Sequence, residues 1–352
     1  MKPRLEKKIW IFVLVSTVIF LGMSSQQATA QKKGGAEEFY KGATLNFIVP
    51  HSPGGPFDLW ARALAPYLEK HTGSRMIVQN IEGASGLVGG GQLYAISKPD
   101  GLTIGILPLS GMAVAEMLEF DAVKYDLDKY TYIGRVEVIS RALFASKASG
   151  FKSIADMQKS TKPIRFGTMD PTSSSSVDAA FLAEAFGLKA KLIPGYKGSK
   201  EYMLALMAGR ELDAASTSLG GYGEQVRKGE LVLVAVAGKK RDPDFPAAPT
   251  ALETPGLKPE DKKWLELLDG ITEGGRTIAA PPGVPEERRL FLDKALMSSL
   301  KEPGLVEWAR KVEYNVSPLS GKECKELVTK MMEIVPKSER PRIKEIITKK
   351  YF

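Results

Sequence analysis

The 352-residue chain is poor in the side chains that catalysis and metal binding need most. It has one cysteine, Cys324, and two histidines, His51 and His71. A lone thiol closes no internal disulfide, so the fold must rest on its apolar core. No spacing of Cys and His resembles a metal site, and neither a metal nor a cofactor is expected. The patterns HExxH, GxSxG, GxGxxG and GxxxxGK[ST] are all missing, which removes the usual sequence signals for a zinc hydrolase, a serine hydrolase, a dinucleotide fold or a P-loop. Lysines and arginines are scattered rather than blocked, so the formal charge of +8 gives no basic stripe for nucleic acid. After the first 30 residues no apolar run approaches the ~20 residues needed to span a bilayer.

The N-terminus is different. Lys2, Arg4, Lys7 and Lys8 precede the mostly apolar stretch 9–23, and Ala28-Thr29-Ala30 follows as a small-residue cleavage signal. This layout predicts a signal peptide over 1–30, removed on export to the periplasm. A polar leader is expected over 31–43.

From Thr44 onwards short apolar strands alternate with helical stretches, which predicts an α/β fold. Strands are expected at 45–49, 76–79, 103–107, 132–138, 164–167, 190–194, 213–217 and 231–237. The main helices are expected at 57–71, 86–97, 154–159, 176–186, 200–208, 221–228, 285–301 and 321–335. Residues 45–83 and 164–198 echo each other: strand, loop of small residues, helix, strand, glycine. The pattern predicts two similar lobes, each a mainly parallel sheet flanked by helices, with a ligand cleft between them. The first lobe is expected over 44–140 plus 250–352, and the second over 141–249. Residues 139–150 would carry the chain between them.

The loop Pro50-His51-Ser52-Pro53-Gly54-Gly55-Pro56 joins an apolar strand to a helix. A helix start presents unpaired backbone N–H groups and a partial positive charge, so it attracts anions without Lys or Arg. Glycines allow close approach, and Pro56 suits the first helical position. Ligands of open α/β sheets sit at the carboxyl ends of strands, where this loop and the segment from Thr168 to Ser176 both fall. The candidate site is therefore His51, Ser52, Pro53, Gly54, Gly55 and Asp58 from the first lobe. Thr168, Asp170, Thr172, Ser173, Ser174 and Ser175 come from the second, with Tyr196 after the next strand and Ser216 and Ser218 at the one following. Asp58 could equally complement the helix dipole, and the serines could simply cap their helix. Trp60, Leu64 and Leu68 lie at helical spacing and are read as core.

Four segments carry a family resemblance. "IVPHSPGGPFDLWAR", "VQNIEGASGLVGGGQLYAISKPDGLTIGI", "PGYKGSKEYMLALMAGRELDA" and "FPAAPTALETPGL" resemble, in order, the blocks of the substrate-binding proteins of tripartite tricarboxylate transporters, the TctC or Bug family. The resemblance covers about residues 44 to 340. It implies a periplasmic Venus flytrap that grips a small organic acid, a mono- or dicarboxylate, largely by backbone groups and water. It adds Ala84 and Ser85 as a second contact loop, and implies a monomer that hands its cargo to membrane permease subunits. A His-bearing helix common in the second lobe of that family has no counterpart here, since alanine or aspartate stands at the matching positions. The alternatives are a receptor that presents its ligand to a membrane sensor kinase, and an exported enzyme acting on carboxylic acids, for which only His51, Asp58, Asp170 and Asp178 could supply acid–base groups.

Overall fold

The computed structural model describes residues 35–352. The expected signal peptide and the first four residues of the expected leader lie outside them. Two sheets form the frame. The first contains β1 (Thr44–Val49), β2 (Arg75–Asn80), β3 (Thr103–Pro108), β4 (Thr131–Glu137), β10 (Arg276–Ala280) and β11 (Leu319–Ser320), in the order β11-β4-β10-β3-β1-β2. The second contains β5 (Arg141–Ser146), β6 (Ile164–Gly167), β7 (Ala190–Ile193), β8 (Ala214–Ser218) and β9 (Leu231–Ala237), in the order β7-β6-β8-β5-β9. Helices cover the sheets, so strands such as β1 read as continuous apolar runs: Phe47, Ile48 and Val49 are all buried.

The two sheets are built alike. In each, a strand (β1 or β6) has parallel neighbours on both sides. Beyond them lies an antiparallel strand that the other arm of the chain delivers. In the first sheet this is β10, which arrives after the chain has visited the second lobe. In the second sheet it is β5, which enters directly from β4. Residues 141–146, expected within a connector, are thus a fully buried inner strand. The echo of 45–83 and 164–198 becomes two βαβ units, with helices Pro56–Thr72 and Ser174–Phe186 between their strands.

The chain crosses between the sheets three times. The first crossing follows Glu137. The second is Glu273–Gly275, where Gly275 has φ +50° and an added Cβ would stand 1.9 Å from the Glu137 carbonyl oxygen. Only glycine fits where the two crossings touch. Arg135 ties this place together, donating to the Glu273 carbonyl at 2.6 Å and the Ser317 carbonyl at 3.1 Å. The third crossing follows helix Gly321–Glu333, which packs on β4; the chain then runs to the second sheet, where Leu192 N–H donates to the Tyr351 carbonyl at 2.7 Å. Helix Pro259–Thr272 also packs on Ser174–Phe186, with Trp264 and Phe181 rings 5.3 Å apart. The stretch 250–352, expected with the first lobe, is therefore shared. Its strands β10 and β11 join the first sheet, while 259–272 and the last turns lie against the second.

Candidate functional site

The carboxyl ends of β1 and β6 release their chains into the two loops singled out by sequence. In the first, the backbone turns through Gly54 at φ +76°, and Gly55, extended at φ −81°, precedes the helix. Gly54 N–H donates to Asp58 Oδ2 at 2.8 Å. Asp58 also accepts from Arg62 Nε at 2.9 Å and Asn80 Nδ2 at 3.0 Å, and it is buried. These bonds hold its carboxyl below the usual range against the cost of burial. Asp58 spends its charge fixing the loop, and Asn80 joins it to the His51 carbonyl at 2.9 Å. Ser52 turns the other way, donating to Glu82 at 2.8 Å, and Pro53 is exposed. The N–H groups of Phe57 and Asp58, in the first turn, have no hydrogen-bond partner among the described residues.

The second contact loop, 83–86, is strained. Ala84 and Ser85 both have left-handed backbones, φ +45° and +51°. Each costs about 1–3 kcal/mol in a residue other than glycine. The strain aims Ser85 at the other lobe, where its hydroxyl donates to Asp170 Oδ2. This bond links the two lobes.

Across the cleft, Asp170 organises its own loop. Its second carboxylate oxygen accepts from Thr172 N–H at 2.8 Å and from the Thr172 hydroxyl at 2.5 Å. Its carbonyl accepts from the hydroxyls of Ser173 and Ser176, both at 2.7 Å. Ser173 caps the helix through Ser176 N–H, and Ser175 pairs with Ser173 at 2.9 Å. The buried hydroxyls of the run thus serve the loop and the helix cap. The Ser174 and Ser175 N–H groups have no hydrogen-bond partner among the described residues. Thr168, buried at the end of β6, has no partner for its hydroxyl among the described residues.

Three other expected residues lie further back. Ser216 donates to Asp178 Oδ2 at 3.0 Å, behind a buried ion pair in which Arg141 Nε donates to the same oxygen at 2.6 Å. Ser218 is buried beside Arg141, its β5 partner. Tyr196 rests edge-on against Tyr202, with 6.1 Å between ring centroids. His71 contacts Glu302 at 2.6 Å, and the Cys324 thiol is buried and pushed up to about 12.

A residue the sequence did not single out completes the first lobe's wall. Arg276 opens β10 at the cleft end of the sheet and is 1% exposed. Its Nη1 donates to Glu137 Oε2, which also accepts from Trp60 Nε1 at 2.6 Å. The guanidinium lies 4.9 Å from the Phe57 ring centroid and 5.2 Å from that of Tyr314. The His51 ring stands 4.5 Å from Phe57 on the same wall. Burial, reinforced by the charge of Arg276, lowers His51 to about 4 and leaves it neutral.

Each lobe thus offers a helix start whose first N–H groups have no partner among the described residues, and the Ser85–Asp170 bond links the two lobes beside them. The model of the tripartite tricarboxylate transporter family receptor matches residues 60–346. The chain belongs to this family. Among curated relatives, a UPF0065 protein encoded in the TAR-I ttuE-ttuC' intergenic region of Agrobacterium vitis is 28% identical over 77% of this chain and 75% of its own length. Among solved structures, the periplasmic binding protein BugD superposes with a TM-score of 0.68 at 23% identity, covering 87% of this chain and 97% of that one. MatC of Rhodopseudomonas palustris, solved with bound malate, superposes with a TM-score of 0.69 at 21% identity, covering 87% and 99%. These likenesses settle the two-lobed fold, and family membership makes the chain a solute receptor of the tripartite tricarboxylate type.

Proposed function

We propose that the protein is exported through its N-terminal signal peptide, works in the periplasm as a monomer, and binds a small organic carboxylate in the cleft for delivery to membrane permease subunits of a tripartite tricarboxylate transporter. The observation that carries this reading is the pair of helix starts, with free N–H groups at Phe57 and Asp58 on one side and Ser174 and Ser175 on the other. Preformed backbone donors with helix-dipole support suit a carboxylate and leave a neutral sugar without its acceptor-rich partners. In this reading Ser85, Asp170 and Thr168 would supply polar contacts made or rearranged on closure, while the hydrogen bonds of Ser52, Asp58, Thr172, Ser173 and Ser216 within the protein suit them to supporting the loops. Bound malate in a receptor of the same fold supports an organic acid as cargo. Binding here is coupled to closure, because cargo meets both helix starts only when the lobes meet.

The test is a thermal-shift screen of the exported form after unfolding and refolding to strip co-purified cargo. Di- and monocarboxylates, amino acids and sugars are compared. A melting temperature that rises with carboxylates is expected, since a ligand bound only by the folded state stabilises it. A rise with sugars alone, and none with any acid, would overturn the reading.

A further inference from the structure

Two polar atoms on the first lobe's wall are buried without a partner among the described residues: His51 Nε2 and Arg276 Nε. They share one neighbour. Both side chains lie against Phe57, at 4.5 and 4.9 Å, and Phe57 carries one of the free N–H groups of the helix start. Arg276 is held in place from three directions. Glu137 takes one Nη, and the rings of Phe57 and Tyr314 lie against the guanidinium plane. Glu137 is itself fixed by Trp60 Nε1. Of the N–H groups this clamp leaves over, Nε–H is the one buried without a partner among the described residues. His51 stands at the seam between the lobes: an added Cβ on Gly86 would come within 3.3 Å of its Nε2, and the adjacent Ser85 makes the bond to Asp170.

Arginine offers donors only, so the missing partner of Arg276 Nε is an acceptor. A neutral imidazole with its proton on Nε2 offers a second donor beside it. A planar group with two acceptor oxygens would satisfy both, and a carboxylate is that group. We propose that His51 and Arg276 form a side-chain anion subsite that takes one carboxylate of the cargo, while the backbone donors of the helix starts take another. The inference rests on the receptor reading above and narrows it: the cargo is a dicarboxylate, with its second acid group against Phe57. Glu137 and Trp60 are positioning residues that hold the Arg276 guanidinium in place.

The experiment compares binding of three diacids (succinate, malate and adipate) with their monoamides, by titration calorimetry on cargo-stripped protein. Wild type is expected to bind at least one diacid about tenfold or more tighter than its monoamide, the scale of a charge-assisted hydrogen bond. Arg276→Gln should erase that preference, Arg276→Lys should keep part of it, and His51→Gln should weaken diacid binding with little effect on the monoamide. Because Arg276→Gln strands the buried Glu137, the double variant Arg276→Gln/Glu137→Gln is measured beside it. If the arginine variants do not fold, His51→Gln and the wild-type ratio decide. A wild type that binds diacid and monoamide alike, or folded variants that keep the preference, overturns the subsite and leaves the receptor reading standing. A wild type that binds no acid overturns both.

Discussion

Replacing Asp178 by alanine tests how the second lobe is held together. Asp178 is 1% exposed and accepts two bonds from Arg141 and one from Ser216. Arg141 is itself buried. Burial alone would push the Asp178 carboxyl upward; Arg141 opposes that shift. Removing the carboxylate leaves a guanidinium without a counter-charge in the interior, a change that costs roughly 3–5 kcal/mol. At roughly 2 °C per kcal/mol for a chain this long, the melting temperature should fall by about 6–10 °C. The double variant Arg141→Met/Asp178→Leu removes both charges at similar volume and should recover most of that loss, because a buried pair contributes little against well-packed apolar residues. Urea denaturation followed by circular dichroism measures both, with the slope checked for two-state behaviour. A single variant within about 1 kcal/mol of wild type, or a double variant less stable than the single, would refute a buried, mutually dependent pair.

Two smaller perturbations probe the first lobe. At Gly54, with φ +76°, alanine should cost about 1 kcal/mol in urea denaturation, the usual penalty for a left-handed residue. At the extended Gly55, where an added Cβ meets only the Ser52 carbonyl at 3.4 Å, alanine should be nearly neutral. The second concerns pH. Burial lowers His51 to about 4 in the folded protein against about 6.5 when unfolded, so the unfolded chain takes up the proton first as pH falls. Its contribution to stability is complete above about pH 6.5 and is lost between about 6.5 and 4. The difference in melting temperature between wild type and His51→Gln should therefore slope in that window and be flat above it.

Local pattern revealed the βαβ units because each is written in contiguous residues: apolar strand, turn-forming loop, amphipathic helix. It did not reveal β5 or β10. Both are short strands whose partners come from distant chain, and RALFAS lacks the alternation that marks a half-exposed strand. Helix Leu109–Met117 escaped for the related reason that it is buried almost all round and carries no polar face. The candidate site divides the same way. The Pro-Gly-Gly loop was legible because its chemistry is in the backbone. The serine run was legible as polar, but whether a hydroxyl faces the cleft or caps a helix depends on the fold of the loop, and Asp170 decided it. Arg276 gave no local signal at all. Its meaning comes from Glu137, 139 residues away, and from aromatic rings on two other elements.

The third crossing has a practical consequence. Helix Ala36–Tyr40 is anchored to the first lobe, with Ala36 N–H on Glu287 and Tyr40 stacked on Phe291. Tyr351 is anchored to the second, through Leu192 and Glu184. The two extremities of the described chain thus ride on opposite jaws. A donor and acceptor dye placed beside Ala36 and Phe352 would form a molecular ruler across the hinge, reading jaw separation in single molecules while leaving every residue of the cleft untouched.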